Sequence, residues 1–251
     1  MSERLRTLRN SVQHLRRVVS GLDATQFTSR AYPSEWTIAD TLSHLGSGAV
    51  IGQRRFEDFA AGRESDPDFN ASVWDEWNAK EPSKQVADCL VSDASLLACL
   101  ESASEAQRDA FHFSMGPLSL DFEDMVGLRL SEHVLHTWDV EVAQRPGATL
   151  DNDAANVILA TVRTIIGFAG KYAGAERTLH LQTLDPVRHF TLRLSDDGVD
   201  LEEAPSSEPV DLTMPAESLV RLIYGRLDEP STPATVTGDV VRELRVVFPG
   251  L

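Results

Sequence analysis

The chain has 251 residues, 42% of them hydrophobic, enough to build one large domain or two ordinary ones around a real core. Lysine and arginine number 23 against 39 aspartates and glutamates, a formal net charge of −16. That balance excludes the basic footprint of a non-specific nucleic-acid binder and opposes an anionic membrane surface, so neither nucleic acid nor membrane is an expected partner.

The N-terminal segment is amphipathic from its start and shows no apolar signal core or small-residue cleavage site. Leu5, Leu8, Val12, Leu15, Val19 and Leu22 recur at three- and four-residue steps, which predicts a bundle-type helix. Tyr32-Pro33-Ser34-Glu35-Trp36 breaks the pattern. Thr37, with Asp40 three residues on, is a variant capping box opening a second helix to about Ala61-Gly62, with Ile38, Leu42, Leu45, Ala49, Phe56 and Phe59 inward. Residues 63–80, polar and aromatic, read as a long loop with room for one turn of helix around Trp74 and Trp77. Ser83 is expected to cap a third helix through Val86, Leu90, Leu97 and Leu100. Pro117 is expected to open a fourth, through Phe122, Met125 and Leu128 to about Gln144, where Arg145-Pro146-Gly147 stops it. Asp151 caps a fifth, containing Val157, Ile158, Ile165 and Phe168.

The period then falls to two. Leu179 to Gln182 and His189 to Leu194 alternate as strands do, Ser195-Asp196-Asp197-Gly198 is a turn, and Val199 to Leu201 and Val210 to Met214 are further short strands. Pro215 to about Tyr224 reads as a helix and Val240 to Phe248 as a last amphipathic stretch. The expected fold class is therefore α plus α+β, a helical bundle over 1–172 followed by a small α+β domain over 176–251. Apolar runs stop short of membrane-spanning length. The two cysteines, Cys89 and Cys99, lie on one helical stretch about 15 Å apart, too far for a bridge. A reducing cytoplasm is the expected compartment.

Three residues carry the chemical signal. Glu132 and His136 are four apart in Leu130-Ser131-Glu132-His133-Val134-Leu135-His136-Thr137-Trp138-Asp139-Val140, so they project from one helix face. His44 lies in Trp36-Thr37-Ile38-Ala39-Asp40-Thr41-Leu42-Ser43-His44-Leu45, among small and polar neighbours, where Gly46 and Gly48 would leave room beside the imidazole. Two imidazoles and a carboxylate converging between helices would hold a divalent metal with one position open, the ligand count of a catalytic zinc site. The bland alternatives are a hydrogen-bonded histidine on a polar flank and a solvated Glu–His pair. His133 points about 100° from Glu132 and is read as supporting or structural. Asp139 is placed either to orient a ligating imidazole or as a plain surface charge. Arg221 and Arg226 flank the end of the helix in the second domain. Each is either a clamp for a substrate carboxylate or a helix C-terminal cation.

These two segments, in this order, resemble the signatures of the DinB-like superfamily and, more narrowly, of the mycothiol-dependent maleylpyruvate isomerase family. The resemblance spans nearly the whole chain and implies a four-helix metal-binding bundle followed by a sterol-carrier-like α+β module. It implies Zn2+ or another divalent metal on His44, Glu132 and His136, with mycothiol as cosubstrate. It also implies a substrate-reading arginine in the second domain, for which Arg226 is chosen, with Arg221 behind it. The expected activity is a thiol-dependent S-transfer or cis–trans isomerisation of a small electrophile. The rival readings are a non-catalytic metal- or ligand-binding module and a hydrolase using metal-activated water.

Overall fold

The computed structural model describes residues 1–64, 66–116, 118–205 and 208–250. By internal packing the chain divides into two compact units, Met1–Ala148 and Thr149–Leu251. The class is α plus α+β, as the change of period indicates.

The first unit is built on four long helices, α1 (Glu3–Ser20), α2 (Ile38–Ala60), α4 (Pro82–Ser102) and α6 (Phe122–Gln144). Helix α1 packs on α4 and α6, and α2 packs on the same two, which closes a four-helix bundle. The stripe on α1 is buried from Leu5 to Val19. At the start of α2 the Thr37 hydroxyl accepts from the Asp40 N–H while the Asp40 carboxylate accepts from the Thr37 N–H, a complete capping box. Ser2, Ser104 and Asp121 cap α1, the short α5 (Glu105–Ala110) and α6 in related ways.

Three elements differ from the periodicity reading. The expected loop over 63–80 contains a ten-residue helix, α3 (Phe69–Asn78). Phe69, Val73 and Trp77 recur every four residues, and Val73 and Trp77 are buried while Trp74 is half exposed. Ser83 does not cap α4; Glu81 takes that position, with Pro82 in the first turn where a missing N–H costs nothing. Helix α6 begins at Phe122, because β1 (His112–Met115) and β2 (Leu118–Asp121) pair antiparallel ahead of it. Pro117, the expected helix opener, lies outside the described residues.

Gly46 shows why α2 and α4 approach so closely. A Cβ there would overlap the Trp77 ring and lie 3.0 Å from the Cys89 Cα. Gly46→Ala is therefore expected to destabilise by about 1–3 kcal/mol through overpacking, despite a helix-propensity gain of roughly 1 kcal/mol. Urea denaturation checks this, and a stabilised variant would refute it.

The second unit carries a four-stranded sheet of order β5-β4-β3-β6. Strands β3 (Arg177–Leu184), β4 (Arg188–Ser195) and β5 (Gly198–Glu203) form an antiparallel meander, and β6 (Leu212–Pro215) joins β3 in parallel. Leu179, Leu181, Phe190, Leu192, Leu194, Val199 and Leu201 supply its buried face. Helices α7 (Asn152–Leu159) and α8 (Arg163–Ala169) replace the single fifth helix expected from Asp151 and pack in this unit, α7 on α9 (Ala216–Ile223) and α8 on β5. The division thus falls after Ala148, before the 172–176 junction where the hydrophobic period changes. Helix α10 (Asp239–Val247) buries Val241, Leu244 and Val247.

Candidate metal centre

The capping box fixes where α2 starts, and His44 follows within its second turn. Glu132 and His136 stand one turn apart on α6. Packing of α2 on α6 brings His44 Nε2 to 2.9 Å from Glu132 Oε2, and His136 Nε2 lies 3.5 Å from that same oxygen. The two imidazole rings are 4.8 Å apart at 70°. One ligand atom from each of the three residues falls within 4.8 Å of the others. The side chains of His44 and Glu132 are 41% and 44% exposed against 9% for His136, so the cluster is rooted in the bundle and open to solvent on one side.

The groups behind the cluster are ordered. His136 Nδ1 is 2.8 Å from Asp139 Oδ2. A carboxylate only accepts, so Nδ1 carries the proton and Nε2 is the nitrogen turned toward Glu132. Asp139 is fully buried, which settles the choice left open by the sequence: it orients His136 and is not a surface charge. The Trp36 indole stacks on His136 at 5.8 Å and 27° and lies 5.2 Å from His44.

Electrostatics follow from these contacts. Burial pushes the Glu132 carboxyl up, but hydrogen bonds and charge from His136 and His44 outweigh it and hold the group well below the usual carboxylate range. Burial pulls the His136 imidazole down, and its contacts with Asp139 and Glu132 reverse that and raise it. Two imidazole nitrogens and a carboxylate oxygen, with one imidazole fixed by a buried acid, suit a borderline-soft divalent ion such as Zn2+.

The glycines beside His44 serve another purpose than the sequence suggested. Gly46 admits Trp77 and Cys89, and a Cβ on Gly48 would stand 3.2 Å from Arg129 Nη1, so these gaps are filled by the chain's own side chains.

His133 belongs to a separate buried network that motif reading did not find. Its Nε2 is 3.2 Å from Asp93 Oδ2 on α4, and its Nδ1 is 2.8 Å from Ser11 Oγ on α1. Arg129 donates to the other Asp93 oxygen and to the Leu45 carbonyl on α2. Ser11, His133 and Asp93 have the order of a hydrolytic relay, yet all three are buried and the acid is shared with a guanidinium, so the network joins the four bundle helices. An unpaired acid on a largely apolar helix, Asp93 in α4, was the sequence signal for it.

The remaining candidates are dispersed. His14 pairs with Glu141 at 2.9 Å, and His112 is an exposed residue of β1 whose Nδ1 is 3.0 Å from the Ala110 carbonyl. Both cysteines are free, Cys89 fully buried and Cys99 partly so. In the second unit Arg221 is 1% exposed: Nε and Nη2 donate to the two Glu217 oxygens at 2.7 and 3.0 Å, and Nη1 donates to the carbonyls of Ser231 at 2.8 Å and Arg226 at 3.4 Å. Arg226 is partly exposed just past α9 and donates to the Tyr224 carbonyl at 3.0 Å. Among the described residues no helix is long and apolar enough to cross a membrane.

Comparison with known proteins bears on this geometry. Residues 8–141 match the model of the mycothiol maleylpyruvate isomerase N-terminal domain. The chain is similar in fold to a crystal structure of mycothiol-dependent maleylpyruvate isomerase, with a TM-score of 0.64 and 20% identity over 94% of each chain. It is also similar to a histidine-to-alanine variant of that enzyme, with a TM-score of 0.63 and 19% identity over 89% of this chain and 88% of the other. No curated protein matches the chain.

Proposed function

Because the chain belongs to the family of the mycothiol maleylpyruvate isomerase N-terminal domain, we propose that it is a metal- and thiol-dependent enzyme acting on a small electrophile. The observation that carries this reading is the convergence of His44, Glu132 and His136 at a solvent-facing edge of the bundle. These three residues would hold the divalent ion, with Asp139 fixing the His136 tautomer and Trp36 flanking both imidazoles. A divalent ion bound there lowers the pKa of a thiol such as mycothiol and favours the thiolate, the competent nucleophile.

The reaction is an addition followed by an elimination. A thiolate sulfur forms a bond to an alkene carbon conjugated to a carbonyl, and the electron pair moves to the carbonyl oxygen. The former double bond is then a single bond and rotates. Return of the electron pair expels the thiolate and leaves the other alkene geometry, so the thiol is regenerated. Protonation of the adduct in place of expulsion gives a thioether, the S-transferase outcome. We favour the broader description, transferase or isomerase, since the same three ligands serve both.

Arg226 is assigned the substrate carboxylate. It is the more exposed of the two arginines, while Arg221 is taken up by Glu217 and by backbone carbonyls, including that of Arg226, and so acts as a positioning residue. Arg226→Met is expected to raise KM for an acidic electrophile about tenfold or more, as loss of a charge-assisted contact of roughly 1.5–3 kcal/mol requires. Its effect on a neutral electrophile should be small; equal effects on both would remove the assignment.

The reading as a whole is tested by metal content and thiol binding. Protein purified without added metal should carry about one divalent ion per chain, lost in His44→Ala and in Glu132→Ala, and should bind mycothiol saturably by calorimetry. Metal without thiol binding would favour a metal hydrolase or a non-catalytic module. Absence of metal would end the proposal.

A further inference from the structure

The other end of α2 borders a cavity of about 200 Å3, lined by Ile51, Arg54, Arg55, Asp58, Pro67 and Phe69 together with Asp66 and Asn70. At roughly 30 Å3 per water it has the space of six or seven waters, enough for a molecule of benzoate size. Arg55 is eleven residues from His44, three helical turns, so the two stand on the same side of α2 about 16 Å apart along its axis. A small molecule on Arg55 therefore does not reach the metal ligands.

The charges around this cavity are unequally satisfied. Asp58 is buried, and both its oxygens are taken: Arg54 Nε lies 2.7 Å from Oδ2, and Arg63 Nε and Nη2 lie 2.8 and 2.7 Å from Oδ1. Arg54 also lies over the Phe69 ring at 4.9 Å. Asp66 accepts from the Asp68 N–H. Arg55 differs: its guanidinium lies over the Phe113 ring at 4.8 Å, and among the described residues no carboxylate or carbonyl accepts from it. Burial lowers its pKa with no acid to compensate. A half-desolvated guanidinium with its donors unspent, beside an apolar wall, is a standing site for an anion. The two neighbouring carboxylates disfavour a multiply charged ligand, and Ile51, Pro67 and Phe69 favour a ligand with an apolar body.

We propose that this cavity binds a small monocarboxylate, its carboxylate on the Arg55 guanidinium and its apolar or aromatic body against Ile51, Pro67 and Phe69. The site is independent of the metal ligands and of the activity assigned to them.

Benzoate is the probe. Calorimetric titration of the wild type with sodium benzoate should show saturable one-to-one binding, preserved in His44→Ala and in Arg226→Met. Arg55→Met, which keeps the aliphatic stem, should weaken it at least tenfold; Arg55→Lys, which keeps the charge without the fork, should fall between. Benzyl alcohol, with the same ring and no charge, should not saturate. Thermal melting of Arg55→Met controls for folding: it should match the unliganded wild type and show no benzoate-induced rise. Undiminished benzoate binding by Arg55→Met, loss of binding in His44→Ala, or no saturable binding to the wild type would each overturn the proposal.

Discussion

Asp93→Ala is expected to cost the bundle about 3–5 kcal/mol, the usual penalty for removing one partner of a buried ion pair. That is a large share of a total stability of roughly 5–15 kcal/mol. Asp93 is 2% exposed and serves Arg129 and His133 together, and through them Ser11 on α1 and the Leu45 carbonyl on α2. Its removal leaves the Arg129 guanidinium in the core with no carboxylate and only the Leu45 carbonyl as acceptor, and takes away the partner of His133 Nε2. Replacing Asp93, Arg129 and His133 together by apolar residues of similar volume should cost less than Asp93→Ala alone, since no charge is then left buried and unpaired. Urea denaturation measures both, and a single-variant loss under about 1 kcal/mol would mean that the network contributes no more than a surface pair.

The same carboxylate gives a pH dependence of definite sign. Burial alone pushes the Asp93 carboxyl up, but the charges and hydrogen bonds of His133 and Arg129 outweigh it and set it below its ordinary value. A depressed folded pKa contributes stability that is fully present above the unfolded value of about 3.9 and is lost as pH falls through the folded pKa. The stability gap between wild type and Asp93→Ala should therefore be constant above about pH 5 and narrow below pH 4. A gap that widens on acidification would contradict the assignment.

What the sequence made legible follows from the range of the forces involved. The stripe of α1, the Thr37–Asp40 capping box and the alternation of β3 and β4 are local signals, set by residues within a turn or a strand of each other, and they appear where expected. Helix α3 was hidden because only Phe69, Val73 and Trp77 carry its stripe, amid a run dense in Asp, Asn and Ser. The β1–β2 hairpin was hidden because strong helix signals directly follow it, and its second strand, Leu118–Asp121, was absorbed into the helix expected from Pro117. The break between α7 and α8 has no proline or glycine to announce it. Within the candidate site, the one-turn spacing of Glu132 and His136 is local, whereas the approach of His44 depends on how α2 packs on α6. The Asp93 network is wholly tertiary: its five members, Ser11, Leu45, Asp93, Arg129 and His133, come from four helices, and the one local trace of it is an acid on an otherwise apolar face of α4.

His44→Ala separates chemistry from architecture most sharply. His44 keeps two-fifths of its side chain exposed, and its removal opens no cavity in the core, so the melting temperature of metal-free protein should barely change. Turnover should fall about a thousandfold or more, because loss of several kcal/mol of charge stabilisation is worth at least that factor. Asp139→Asn should behave differently. Its side chain is fully buried and holds the His136 Nδ1–H, so the tautomer is loosened while His44, Glu132 and His136, the proposed ligands, all remain. An outer partner of this kind is worth about 10–100-fold in metal affinity, and excess Zn2+ should restore most of the turnover in Asp139→Asn and none of it in His44→Ala. Chelation supplies the third comparison. If the ion serves chemistry, chelation silences turnover and lowers the melting temperature only by the ordinary linkage of a bound ligand; if it serves architecture, the bundle itself unfolds. The closed core of Ile38, Leu42, Leu45, Trp77, Val86 and Val140, and the Asp93 network beside it, stabilise the bundle without any contribution from His44, Glu132 and His136, so the first of these outcomes is expected.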